Sequence, residues 1–238
     1  IRTGASGSYP GSLMEMGGTL FFSADDGSKT GELFVFLQPV VFGTSGNDNI
    51  QVEVVPGGGF NVTLNGKAYS YARNELSIVG GGGNDTIRVT GTDADEVLTA
   101  HPHSFEFGNG NFQVTGEEIE FLTVTGNGGD DHATLLDSSG NERVVARVGN
   151  TSVRDLAGTF THRAFGFGNV LLKSSGALPG NFDMANLFDS AEKDTFVGNS
   201  TDAQITSASR NYIVRSEGYD RNVVRSTLGG EDVAILNG

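Results

Sequence analysis

Acidic residues recur along this chain at alternating short and long intervals, and that alternation restricts the fold more than any other feature. Asp48, Asp85, Glu96, Asp131, Glu142, Asp183, Asp194 and Asp232 are separated by 37, 11, 35, 11, 41, 11 and 38 residues. Each is preceded by a turn rich in Gly, Asn or Asp and followed by a strand-like run. The short legs align in order: Asp85 to Glu96, Asp131 to Glu142 and Asp183 to Asp194. Leu135-Leu-Asp-Ser138 and Leu187-Phe-Asp-Ser190 lie 52 residues apart, as do Leu171-Leu-Lys-Ser174 and Val223-Val-Arg-Ser226. The summed period is about 48 residues, which marks internal duplication and stacking, because one such unit cannot bury its own apolar face.

The local signals are those of strands. Ile50-Gln-Val52-Glu-Val54, Phe60-Asn-Val62-Thr-Leu64, Phe105-Glu-Phe107, Phe112-Gln-Val114 and Phe165-Gly-Phe167 alternate apolar with polar or small residues. Pro56-Gly-Gly-Gly59 and Gly108-Asn-Gly-Asn111 each separate two such runs and read as hairpin tips. No dozen-residue window sustains helical spacing of apolar residues without a Gly. The expected fold is an all-β repeat stack: a parallel β-helix or β-solenoid with hairpin excursions, with a β-sandwich array as the alternative. A period of about 48 suggests two coils of about 24 residues. Ile50, Ile78, Ile87, Leu135, Leu187 and Ile235 are the expected inward positions.

Composition narrows the function. A net charge of −14 argues against nucleic-acid binding, which needs clustered Lys and Arg. No apolar run approaches the roughly 20 residues of a membrane-spanning helix. With no Cys there is no disulfide, no Cys-ligated zinc and no thiol nucleophile, which suits an exported bacterial protein. The chain opens at Ile1 and closes on Val233-Ala-Ile-Leu-Asn-Gly238, which reads as the middle of a strand. The expectation is therefore a piece of a longer polypeptide, with head-to-tail addition at the open end.

Three motifs carry resemblances. Gly17-Gly-Thr-Leu-Phe-Phe-Ser-Ala-Asp-Asp-Gly27 and Gly31-Glu-Leu-Phe-Val-Phe36 resemble the tail of an ELWxxDGT-type repeat of large exported bacterial proteins, with Phe34 in the usual Trp position. Residues 1–38 are accordingly set apart as an N-terminal β segment capable of strand exchange, and 39–238 as the repeat domain. Gly80-Gly-Gly-Gly-Asn-Asp-Thr-Ile-Arg88 is similar to the GGxGxDxUx calcium-binding nonapeptide of RTX proteins, and the turns before Asp48 and Asp131 are near matches. That similarity implies Ca2+ ligands at the acidic turns: Asp48, Asp85, Asp131, Asp183, Asp194 and Asp232. The competing reading has these side chains capping turns through backbone N–H groups. Gly126-Asn-Gly-Gly-Asp-Asp-His-Ala-Thr-Leu-Leu-Asp-Ser138 and Asp189-Ser-Ala-Glu-Lys-Asp-Thr-Phe-Val197 resemble Asp/Gly repeat regions of very large planctomycete-type surface proteins. Secretion or cell-surface location and a modular, non-enzymatic role are what that resemblance implies.

No nucleophile elbow, zinc-protease motif or phosphate loop is present. The imidazoles are His101, His103, His132 and His162; His101-Pro-His103 lacks an evident third ligand. Three functions remain. The first is an extracellular structural or adhesive segment of a larger surface protein, self-assembling head to tail into a filament. The second is a β-helical carbohydrate-active or carbohydrate-binding module, for which Asp137 and Asp189, in register between units near Arg143 or Lys193, are the candidate carboxylates. The third, compatible with the first, is a module that folds on meeting calcium outside the cell. The expected partners are further copies or neighbouring repeats, or surface glycans.

Overall fold

The structure is a computed structural model. It describes residues 11–16, 19–24, 32–36, 39–176, 178–199, 201–207 and 211–237, and every described element is a strand. The strands β1 (Gly11–Met16), β2 (Thr19–Ala24) and β3 (Glu32–Phe36) form their own antiparallel sheet. The ELWxxDGT-like stretch falls on β2 and β3, with Phe22 opposite Phe34. Its Gly17, Gly18 and residues 25–31 lie outside the described residues.

From Val40 the chain passes between two larger sheets, one of eleven strands and one of ten. The unit is a single strand on one sheet, a three-stranded meander on the other, and a single strand back on the first. The first unit is β4 (Val40–Phe42), the meander β5 (Asn49–Val54), β6 (Phe60–Leu64) and β7 (Lys67–Tyr71), then β8 (Glu75–Val79). The second exchanges the sheets: β9 (Thr86–Thr90), the meander β10 (Val97–His101), β11 (Ser104–Gly108) and β12 (Gln113–Glu117), then β13 (Phe121–Thr125). The third is β14 (His132–Leu136), the meander β15 (Glu142–Arg147), β16 (Asn150–Asp155) and β17 (Thr161–Phe165), then β18 (Asn169–Lys173). The fourth is β19 (Met184–Phe188), the meander β20 (Asp194–Gly198), β21 (Asp202–Ser207) and β22 (Tyr212–Glu217), then β23 (Arg221–Arg225). β24 (Val233–Leu236) opens a fifth.

Units begin at residues 40, 86, 132, 184 and 233, so they are 46 to 52 residues long and match the sequence period. Each unit occupies the sheets three times. Three is odd, so the next unit must begin on the opposite sheet. One period is therefore one and a half turns of a β-solenoid, and not two coils of about 24 residues.

The meanders lie within the sheets. A hairpin adds two strands, so the third strand of each meander runs parallel to the first and the parallel ladder resumes beyond it. Thus β10 and β12 flank antiparallel β11, while β14 pairs parallel with β10 and β8 pairs parallel with β12. Pro56–Gly59 and Gly108–Asn111 form hairpin connections as expected. A third, Asn65-Gly66 between β6 and β7, has φ of 50° and 83°, the double positive φ of a two-residue type I′ turn.

Parallel register stacks like positions into columns. Ile50, Ile87, Leu122 and His162 form one inward ladder, with Val52, Val89, Val124 and Ala164 as its neighbour. Leu98, Ala133, Val170 and Val214 form another on the facing sheet. Both sheets contribute to one buried cluster, bridged by edge-on contacts of Phe107 with Phe112 and Phe167. Two expectations are corrected. Gly166, at φ 81°, turns the chain, so Phe165-Gly-Phe167 is a corner, and Phe167 is buried from it. Ile235 is exposed, because the register places Ala234 and Leu236 at the inward positions of β24. The other five expected inward residues are buried.

Candidate functional site: the acidic corners

The recurring acids sit where the chain enters a strand, and the long intervals of the sequence are the intervals that bring one acid onto another. The Asp85 carboxylate accepts the Asp48 N–H at 2.8 Å, Asp131 accepts that of Glu96 at 2.8 Å, Asp183 that of Glu142 at 2.9 Å and Asp232 that of Asp194 at 3.0 Å. Two columns continue one step further, with Glu120 accepting the Asp85 N–H and Asp220 accepting the Asp183 N–H. The second column ends at Gly168, which follows Glu96 and Asp131 in the stack. The short interval of 11 is one strand crossing to the other sheet.

The first acid of each column is also tied to a hydroxyl residue four positions earlier: Asp48 to Thr44, Glu96 to Thr92, Glu142 to Ser138 and Asp194 to Ser190. Burial pushes Asp48 up, but the Thr44 N–H, the Asn65 amide and the Thr44 hydroxyl outweigh it and hold the carboxyl below its ordinary range. Asp131 has fewer donors. Burial dominates there, the Glu96 N–H opposes it, the charges of Glu96, Asp95 and Asp130 add to it, and the carboxyl rises to about 6.

Several of these acids keep one oxygen buried without a hydrogen-bond partner: Asp85 Oδ2, Glu96 Oε2 and Asp131 Oδ2. Glycine explains them. A Cβ on Gly80, Gly91 or Gly126 would lie 2.7, 2.6 and 2.1 Å from those same oxygens. The oxygen fills the space the missing side chain leaves and rests against the glycine backbone, where Cα–H groups are weak donors. None of these three glycines has positive φ, whereas Gly81, Gly83 and Gly129 in the adjoining turns do. Glycine thus serves the corners in two ways, by room and by turn geometry.

The third column departs from this pattern. Gly43 and Gly91, five residues before the first acid, are replaced by Asp137. Gly80 and Gly126, which precede the second acid, are replaced by Ser174, as their shared backbone pairing shows. Ile119 and Phe167, at the corner beneath, are replaced by Tyr219. Asp137, Glu142 and Asp183 are all buried, and their ligand oxygens lie within 4.8 Å of one another. No other group of three or more acids and imidazoles comes that close among the described residues. Asp137 Oδ1 accepts the Ser175 N–H at 2.5 Å, Asp183 accepts the Ser174 hydroxyl at 3.1 Å and Glu142 accepts the Ser138 hydroxyl. Asp137 Oδ2, Glu142 Oε2 and the Tyr219 hydroxyl are buried without partners. Burial pushes Asp137 up to about 6, against the Ser175 N–H and with the Asp183 charge. Burial and the Asp183 and Asp137 carboxylates likewise drive Glu142 up.

Of the six acids expected as metal ligands, Asp183 joins this group. Asp48, Asp85, Asp131, Asp194 and Asp232 lie outside that group, and each bonds neighbouring N–H or hydroxyl groups of the corners. Asp137 and Asp189 occupy equivalent corners, and neither pairs with Arg143 or Lys193; Asp189 accepts the N–H groups of Thr227 and Leu228. Asp137, Glu142 and Tyr219 were not in that set. The signal for Asp137 was in the sequence: aligned five residues before each acid, Gly43, Gly91, Asp137 and Asp189 change from Gly to Asp between units.

Elsewhere, His162 is 1% exposed with both ring nitrogens unpaired. Burial, with the His103 and His101 charges, lowers it to about 4; the Pro102 carbonyl opposes this without forming a well-aligned hydrogen bond. A groove of about 710 Å³ lies between the hairpin tips, lined by Val54, Pro56, Asn74, Asp93, Asn109 and Phe112 among others. No described helix is long and apolar enough to cross a membrane. The chain matches no protein-family model, no curated protein and no solved structure.

Proposed function

We propose that this chain is a structural segment of an exported surface protein, and that it lengthens by stacking a further unit, from a second copy or a neighbouring repeat, onto its β23–β24 end. One observation carries this reading. Leu236 is 77% exposed at an inward position of β24, while its equivalents Val89, Leu135 and Leu187 in the preceding units are at most 1% exposed. Each of those is covered by the next turn of this same chain. The occupant that fits Leu236 is therefore another unit of the same kind, which would also use the open hydrogen-bonding edge of β24. A head-to-tail contact of this type gives an open filament where its rotation does not close into a ring.

Sedimentation velocity across a concentration series tests it. Species growing with concentration, and abolished by Leu236→Asp together with Ile235→Lys on β24, are the expected result. A monomer at every concentration overturns self-assembly. A second reading, a glycan-binding module, rests on the groove beside Phe112 with its Asn74, Asn109 and Asp93 side chains. Retention on a glycan array, lost in Asn109→Ala, would favour it.

A further inference from the structure

We propose that Asp137, Glu142 and Asp183 form a binding site for one hard divalent cation, with calcium as the fitting ion. The site is separate from the glycine-backed Asp turns and does not depend on assembly.

Three observations converge. Three carboxylates are buried together, and among the described residues no Lys or Arg pairs with any of them. Buried charges without a counter-charge are strongly disfavoured, so the group needs a cation or protons. Second, the Tyr219 hydroxyl is buried and unpaired beside the same carboxylates, whose charges, after burial, raise its pKa. It is an oxygen that the protein itself leaves unused. Third, the chain supplies its own controls. In the first and second columns the three corresponding positions are Gly43, Gly80 and Ile119, then Gly91, Gly126 and Phe167. In the third column all three become oxygen-bearing at once: Asp137, Ser174 and Tyr219. The fourth column carries two of these changes, Asp189 and Ser226, as bonds within the corner, and the third column alone adds the unpaired Tyr219 hydroxyl to them.

The geometry suits calcium. Ligand oxygens within 4.8 Å of one another can all reach one calcium ion, whose opposite ligands stand about that far apart. The carboxylates, the Ser174 hydroxyl and Tyr219 provide enough oxygens for a six- to eight-fold shell. Magnesium keeps several of its waters and demands a tight octahedron, which suits a corner this buried less well than calcium does. In the glycine-backed columns the free oxygen occupies the room that the glycine leaves.

Terbium, a calcium-sized ion whose emission is sensitised by a nearby tyrosine, is the direct probe. The chelator-stripped full chain is titrated with Tb3+ under tyrosine excitation, and Ca2+ is then added. One saturable, calcium-displaceable site is expected, with emission reduced severalfold in Tyr219→Phe. Asp137→Asn and Glu142→Gln should weaken Ca2+ binding by at least tenfold, while Asp85→Asn in the first column should leave it unchanged. The amide variants remove mutual repulsion at constant size, so they are expected to fold; circular dichroism checks this. Calcium should raise the Tm of the parent chain and not of Asp137→Asn. No saturable Tb3+ or Ca2+ binding, or binding indifferent to Asp137→Asn, overturns the site and leaves the three carboxyls held by shared protons. Loss of assembly in sedimentation with binding intact would count against the proposed function and not against this site.

Discussion

At the scale of single residues, His162 is the sharpest conflict between sequence and surroundings. It takes the place that Ile50, Ile87 and Leu122 hold in the same ladder, and neither nitrogen finds a partner. An unpaired buried polar group costs about 1–3 kcal/mol, so His162→Leu should stabilise the chain by that order at pH 7.5. The histidine also sets a pH slope. Its folded pKa of about 4 lies below the ordinary 6.5, so the unfolded chain takes up a proton between those values and the folded chain does not. Stability from this group is whole above pH 6.5 and is lost as pH falls towards 4, by roughly 3 kcal/mol. Asp131 and Asp137, raised to about 6, act in the opposite sense: the folded chain holds their protons in the window where the unfolded chain has released them. Urea midpoints in chelator at pH 4.5 and 7.5 separate the two. His162→Leu should be more stable at the lower pH, and the parent chain should gain less or lose. An equal pH response in both proteins would show that His162 does not titrate as its burial requires.

At the scale of elements, the corner is the unit of construction. Gly126 lacks positive φ yet stands where a Cβ would meet Asp131 Oδ2 at 2.1 Å. Asp131 cannot yield freely, because its other oxygen holds the Glu96 N–H. Gly126→Ala should therefore cost about 1–3 kcal/mol by overpacking. Gly110, in the β11–β12 connection, has no positive φ, and a Cβ there would meet nothing within 4 Å, so Gly110→Ala should stay within about 0.5 kcal/mol of the parent chain. Thermal melts of the two variants side by side check the contrast; equal losses would mean that room for the carboxylate is not what glycine provides. Much of this was legible. The alternating intervals marked a repeated, stacked unit and the Gly-rich loops at Pro56 and Asn109 marked hairpins, whereas what each interval spans came only with the strand pairing. The Asn65-Gly66 turn is equally readable by its dipeptide, although it is not among the hairpins expected from the sequence. The direction of Tyr219 was not readable, because a tyrosine among Ile119 and Phe167 equivalents fits an apolar pattern until three carboxylates are placed beside its hydroxyl.

At the scale of the whole molecule, spacing gives the period, but not how many times a unit crosses between sheets. Both two coils of about 24 residues and one and a half turns with an in-sheet meander satisfy a period of about 48. Only strand pairing distinguishes them, and pairing depends on contacts between units rather than within one. The register of β24 shows the same limit: Val233-Ala-Ile-Leu236 alternates with either phase inward, and its pairing with β20 chooses Leu236 over Ile235. This dependence on neighbours has a measurable consequence. In a stack, each unit is held by the one before and the one after, so stability is close to a sum of nearest-neighbour interfaces. β13 and β14 have a parallel partner on each side, and their inward residues Val124 and Leu135 are fully buried. β24 pairs with β20 alone among the described strands, and all four of its residues are exposed. Amide hydrogen exchange at low protein concentration should therefore be graded: fast in β24, slower in β20 and β19, slowest in β13 and β14. Raising the concentration should slow exchange in β23 and β24 first if another unit settles on that end. Uniform protection along the stack would instead mean that the chain unfolds as one cooperative block, and that its interfaces are too strong for the ends to open independently.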